Sequence, residues 1–162
     1  LKGKRHKAGL IMDFTIEVAG TDEASFKDVF GLLVKLHAEG GYAVLDADVA
    51  AGSAWHILDE GLAFLARDAD GKPIGTLALT QLQFWYSLDT YLQDAWFFVL
   101  PELRNKRVGL ALMQRARSVA DELNKILLVT VTNPDRRPKK TPMTLISQNA
   151  GYVPVGYTIR AR

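Results

Sequence analysis

The chain contains no cysteine, which excludes disulfides, thiolate metal sites and any covalent cysteine intermediate. It has only three histidines. Of these, His37 and His56 sit among helical apolar residues, where an imidazole is more often a partly buried packing group than a ligand, so no metal site is expected. The longest uncharged run, Pro73 to Leu88, is interrupted by Thr76, Thr80, Gln81, Gln83 and Ser87 and is too short for a membrane-spanning helix. The first eleven residues lack the apolar core of a signal peptide. There is no internal repeat, low-complexity tract or Pro/Gly/Ser linker long enough to divide domains. A cytoplasmic protein with no membrane partner is the expectation.

What is present is an ordinary globular composition: 162 residues, 48% hydrophobic and 23% charged, enough for one core and one domain. The net charge of +2 conceals a local bias, because Lys2, Lys4, Arg5 and Lys7 stand in residues 1–11 without an acid. Without those four, 16 basic residues face 18 acidic ones, so the basic character is local. Met12 opens the first strand-like segment. The expected organisation is a basic N-terminal extension over 1–11, read as a solvated tail, and a single domain over 12–162.

Residues 13–18, "DFTIEV", alternate as a strand does. Asp22 suits a helix cap, followed by Phe26, Val29, Phe30, Leu33 and Leu36 on one helical face before Gly40 and Gly41. "DVAAGSAWHILDEG" reads as a shorter helix. "LAFLARD" and "PIGTLALTQLQ" flank Asp70-Gly71, a tight-hairpin signal. A third strand is expected to end at Pro101, and the "FWYSLDTY" before it reads as strand ends packed together, or as a substrate-facing loop. An amphipathic helix from about Val108, then "ILLVTV" (126–131) read as a strand buried on both faces, completes a βαβ unit with parallel strands. A basic loop, "NPDRRPKK", a short helix near 141–149 ended by Gly151, and closing strands follow. The order β-α-α-β-β-β-α-β-α-β is an α+β, α/β/α-layered arrangement around a central mixed, mostly antiparallel sheet.

A helix starting near Val108 leaves its first N–H groups without intrahelical partners and carries a partial positive charge at that end. Gly109 permits close approach to the backbone, and Arg104, Lys106 and Arg107 add cations, a combination that suits a pyrophosphate. The segment "VLPELRNKRVGLALM" resembles the acetyl-CoA-binding segment of the GNAT N-acetyltransferase superfamily, whose pattern is Arg/Gln-x-x-Gly-x-Gly/Ala. Arg104 takes the first position and Gly109 the last, Val99 and Pro101 match the lead-in, and "NAGYVPVGY" is similar to the family's closing Gly-aromatic strand motif at Gly151-Tyr152. The likeness in element order covers about residues 12–160. Two positions depart from the pattern: Arg107 stands where the family prefers a glycine, and Ser147 stands four residues before Gly151, where many members carry a tyrosine general acid.

The resemblance implies an enzyme that transfers acetyl from acetyl-CoA, used as co-substrate without a metal, directly to a primary amine of a small-molecule or peptide acceptor in a ternary complex. It places cofactor binding on Arg104, Asn105, Lys106, Arg107, Val108, Gly109, Leu110 and Ala111. A backbone N–H near Phe98 and Val99 would meet the thioester carbonyl. Asp94 is the implied general base, with a pKa raised by its apolar surroundings; otherwise it is a solvated carboxylate at a strand start. The acid role would fall to Ser147, to water, or to a tyrosine such as Tyr152 or Tyr157. Two other readings compete: a non-catalytic acyl-CoA-binding or regulatory module on the same fold, and a nucleic-acid-binding domain using the basic stretches. The slightly acidic balance of 12–162 opposes the latter. A homo-oligomer is open.

Overall fold

A computed structural model of the protein describes residues 12–40, 43–104, 106–130, 149 and 151–152. Strand β1 (Phe14–Val18) alternates half-buried and exposed side chains. Helix α1 (Glu23–Gly40) begins where the Asp22 carboxylate accepts the Ser25 N–H at 2.9 Å. That Ser25 contact holds the Asp22 carboxyl below its ordinary pKa, as expected for an anion at a helix start. Helix α2 (Ala47–Asp59) is capped in the same way by Asp46, which accepts the N–H groups of Asp48 and Val49. Its apolar face carries Ala54 and Leu58. His56, two residues from Ala54 and thus on the far side of the helix, is exposed and lies 3.4 Å from Glu60, against the expectation of a packing residue. His37 is half-buried, its Nε2 2.8 Å from the Ala43 carbonyl oxygen.

Strands β2 (Ala63–Asp68) and β3 (Pro73–Gln83) form the Asp70-Gly71 hairpin, with Gly71 at φ +79°. Strand β4 (Thr90–Val99) returns antiparallel to β3, a 3-10 turn covers Pro101–Leu103, and helix α3 (Val108–Glu122) crosses back to β5 (Leu127–Leu128), parallel to β4. The strand order is β1-β2-β3-β4-β5, the mixed, mostly antiparallel sheet expected. The helix expected near 141–149 and the closing strands lie outside the described residues, apart from Asn149, Gly151 and Tyr152.

Residues paired across an antiparallel ladder share a face. Gly75 with Val99, and Phe64 with Leu77 and Phe97, face α3: the Arg115 guanidinium lies 5.7 Å from the Phe64 ring, and Leu112 packs beside Gly75. The opposite face carries Leu65, Thr76, Trp96 and Phe98. There the Trp96 indole N–H donates to the Thr76 hydroxyl, which donates to the Phe64 carbonyl, so the one buried polar side chain among the described residues is satisfied. Arg67 ties α1 to the sheet, donating to Glu17, Asp28 and the Gly71 carbonyl.

Two expectations change. Among the described residues the β5 ladder with β4 covers only Leu127–Leu128, and Ile126 is 58% exposed; an apolar run registers burial tendency, but not which of its residues the neighbouring strand reaches. In "FWYSLDTY", the Phe84 and Tyr91 rings do pack together, tilted at 4.5 Å, yet Trp85 and Leu88 are more than 90% exposed, because the turn projects beyond the end of the sheet.

Gly75 has a packing duty. A Cβ there would lie 3.1 Å from the Phe98 carbonyl oxygen and 3.3 Å from Leu112 Cδ1, so α3 approaches the sheet over a bare backbone. Gly75→Val should destabilise the protein by about 1–3 kcal/mol in urea unfolding, although valine is the better strand former.

Candidate active site

The 3-10 turn after β4 folds back through the Leu103 N–H to the Leu100 carbonyl at 2.8 Å, and the Lys106 N–H reaches the Leu103 carbonyl at 3.0 Å. Arg107 then adopts φ 65° and ψ −3°, a left-handed conformation, as the residue preceding the helix, with no side-chain cap. The Ala111 N–H to Arg107 carbonyl bond, 3.0 Å, is the first rung of α3. The N–H groups of Val108, Gly109 and Leu110 therefore have no carbonyl one turn behind them in the helix. Val108 and Gly109 are buried, while Lys106 and Arg107 are exposed beside them. A helix end with open donors and two adjacent cations fits the diphosphate of a coenzyme A.

Arg104 has a different placement. Its Nε donates to the Val99 carbonyl at 3.1 Å, its guanidinium stands 5.7 Å from the Phe98 ring centroid, and its Nη2 pairs with Glu39 at the end of α1. Arg104 thus ties the turn to β4 and to the first helix. Asn105 lies outside the described residues.

Among the described residues, the β4 edge facing β5 has no strand partner over its second half. Pairing with β5 reaches only Leu92 and Gln93. The Leu100 N–H donates to Ile74 of the β3 side, so by alternation the Phe98 N–H also points into the β3 ladder, whereas those of Phe97 and Val99 point to the other side. Of Phe98 and Val99, it is Val99 whose N–H points to the β5 side.

A bulge lies just before this edge. Ala78 pairs with Trp96 but Leu79 pairs with Asp94, leaving Ala95 as the extra residue. Trp96 and Asp94 would share a face in a regular strand; the bulge sends Trp96 towards α1 and Asp94 to the α3 side. Asp94 Oδ1 accepts the backbone N–H of Thr130 at 2.7 Å. Burial raises the Asp94 pKa, and the Thr130 hydrogen bonds oppose that rise without cancelling it. Tyr152 lies on the same side, its hydroxyl donating to the Met113 carbonyl of α3 at 3.0 Å, with Asp94 and Arg117 both within electrostatic reach. Burial pushes the Tyr152 phenol up to about 12, so it is neutral and a donor at physiological pH. Neither Thr130 nor Met113 was legible as a site residue, because each acts through its backbone. Two open grooves, of about 510 and 370 Å³, lie elsewhere, along the β3–β4 turn from Gln83 to Leu88 and between that turn and Ile126; Asp94 lines neither.

The sequence matches the model of the GNAT acetyltransferase family over residues 31–138. The chain belongs to this family. No curated protein matches the sequence. The GNAT fold is also evident in solved structures. AAC(6')-Iy, in complex with the bisubstrate analogue CoA-S-monomethyl-acetylneamine, has a TM-score of 0.70 at 18% identity, covering 93% of this chain and 97% of that one. The aminoglycoside 6'-N-acetyltransferase AAC(6')-Ih from Acinetobacter baumannii has a TM-score of 0.62 at 14% identity, covering 93% and 97%. A Trypanosoma brucei acetyltransferase has 0.65 at 14%, covering 93% and 99%. At such identities these likenesses speak for the fold alone.

In this GNAT protein the residue at the usual tyrosine position, Ser147, lies outside the described residues, as does Tyr157. Arg107 stands at the family's glycine position in a conformation that favours glycine. Relief of a left-handed strain of about 1–2 kcal/mol should outweigh the added chain entropy of about 0.5–1 kcal/mol, so Arg107→Gly is expected to raise the urea midpoint, contrary to the usual sign of a glycine substitution. Tyr152→Phe, which loses the bond to Met113, should lower stability by about 1 kcal/mol.

Proposed function

We propose that this GNAT-family protein transfers an acetyl group from acetyl-CoA to a primary amine by direct attack in a ternary complex, with Asp94 as the proton acceptor. The observation that carries the reading is the arrangement along β4. A desolvated carboxylate at the bulge is followed by a strand edge with no partner among the described residues, which leads into the N–H groups of α3 that lack an intrahelical acceptor. Bound acetyl-CoA would supply an acetyl group activated as a thioester. Val108, Gly109 and Leu110 would hold its diphosphate through backbone N–H groups, assisted by Lys106 and Arg107. The Val99 N–H would donate to the thioester carbonyl oxygen as that oxygen gains charge. An ammonium acceptor must lose a proton before it attacks, and a carboxylate whose pKa is raised is the better base, directly or through a water; as the N–C bond forms, the thioester C–S bond breaks and the departing thiolate takes a proton from solvent.

A primary amine of an aminoglycoside is the first acceptor to test, since AAC(6')-Ih is named for acetylating that class. A non-catalytic acyl-CoA-binding module is the second reading. The commitment of the Tyr152 hydroxyl to Met113 favours it, and it requires cofactor binding without turnover.

Calorimetric titration with acetyl-CoA tests both readings. Micromolar binding to the native protein that is lost in Gly109→Trp supports the cofactor site; no binding to folded native protein rejects both. If turnover is found, kcat/KM should rise with pH through an apparent pKa above the ordinary carboxylate value of about 4, and Asp94→Asn should abolish that limb. Stability should run the other way. A carboxyl whose folded pKa is raised contributes stability that is full below its unfolded pKa and is lost as pH rises through the folded one. Asp94→Asn should therefore remove a decline in unfolding free energy over that window.

A further inference from the structure

We propose that Glu39, in the last turn of α1, is a positioning residue for cofactor binding: acting through Arg104, it holds in place the turn that carries Lys106, Arg107 and the start of α3. The inference rests on the acetyl-CoA reading for its functional consequence. An acid at the C-terminal end of a helix is electrostatically misplaced, because the carbonyls there carry partial negative charge. Glu39 stands one residue before Gly40, where α1 ends, so helix stability does not account for it. Lys35 lies one turn back on the same helix. The cation that Glu39 pairs with is instead Arg104, 65 positions along the chain, at 2.5 Å.

The turn has little else to hold it. Of its described residues, Leu103 is half-buried, while Pro101, Glu102, Arg104, Lys106 and Arg107 are exposed. Packing therefore fixes it weakly, and the left-handed Arg107 is a backbone conformation that persists only when its surroundings enforce it. Helix α1 is a firmer support. Val29 and Leu32 are buried in the core, Asp28 takes Arg67 of β2 at 2.7 Å, and His37 Nε2 lies 2.8 Å from the Ala43 carbonyl oxygen. One guanidinium spans from this helix to the sheet, with Nη2 on Glu39, Nε on the Val99 carbonyl at 3.1 Å and its carbon 5.7 Å from the Phe98 ring centroid. Its planar fork makes both bonds from one fixed geometry, which an ammonium does not. Arg104 is thereby occupied, and Lys106 and Arg107 stand exposed at the first N–H groups of α3.

Positioning and simple electrostatics give opposite signs for Glu39→Gln. Removing a negative charge near an anion site strengthens anion binding, whereas loosening the turn weakens it. Calorimetry should show acetyl-CoA bound about fivefold more weakly by Glu39→Gln, the scale of a well-placed exposed ion pair. In turnover, the acetyl-CoA KM of Glu39→Gln should rise with kcat kept. Arg104→Lys keeps the charge but loses the fork, and should weaken binding at least as much. The double variant should be no worse than Arg104→Lys, since both changes remove one connection. Without cofactor, amide exchange at Leu103 and Lys106, whose N–H groups close the turn on the Leu100 and Leu103 carbonyls, should quicken by a similar factor in both single variants. Native or tighter affinity in folded Glu39→Gln, additive losses in the double variant, or unchanged exchange at Leu103 and Lys106 overturns the positioning role and leaves the acetyl-CoA reading standing. Should Glu39→Gln fail to fold, native-like affinity or exchange in Arg104→Lys overturns it equally. No binding of acetyl-CoA to the folded native protein rejects that reading, and the positioning role with it.

Discussion

The site depends on one extra residue in one strand. Ala95 breaks the two-residue period of β4, and everything on either side of it changes face. Trp96 and Phe98 lie on the sheet face opposite α3, with the indole tied to Thr76, while Asp94 emerges on the side of α3, near Tyr152. A regular β4 would send Asp94 and Trp96 the same way, and would place either an unpaired carboxylate among packed aromatics or a large indole at the strand divergence. The bulge resolves that conflict, and bulges commonly re-aim a side chain next to a functional site.

The helix start is a second constraint, and it is met with some strain. The chain must turn from Val99 into α3 within a few residues. The turn closes with Arg107 in a left-handed conformation, which a side chain adopts at a cost of about 1–2 kcal/mol. In exchange, the guanidinium of Arg107 is exposed next to the open N–H groups of the helix, where a positive charge assists an anion. Gly75 supports the same arrangement from below, since its missing side chain lets Leu112 of α3 settle against Val99 and the Phe98 carbonyl. The packing of α3 and the position of its N-terminus are therefore one problem.

Arg104 connects the two sides of the molecule. The resemblance assigned it to the cofactor segment, and its guanidinium reaches Glu39 on α1 and the Val99 carbonyl on β4. Helix α1 and the strand edge at Val99 thus share one cation. Both partners are substantially exposed, so the pair contributes little to stability; its effect is on geometry, holding Arg104 where its Nε meets the Val99 carbonyl.

By itself the sequence determined the order of elements as far as β5, the hairpin at Asp70-Gly71, the parallel crossover through α3 and the family, because these follow from local periodicity, turn chemistry and a short motif around Arg104 and Gly109. Asp94 was also legible, as the carboxylate preceding Ala95, Trp96 and Phe97 near the motif. Only the tertiary structure decided where Asp94 points, because an extra residue in a strand shows itself only against the partner strand, here between Ala78 and Leu79. It likewise decided that Thr130 and Met113 are hydrogen-bonding partners at the site. A backbone N–H or carbonyl is the same in every residue, so no side-chain pattern can announce it, and its role appears when another part of the chain is folded against it.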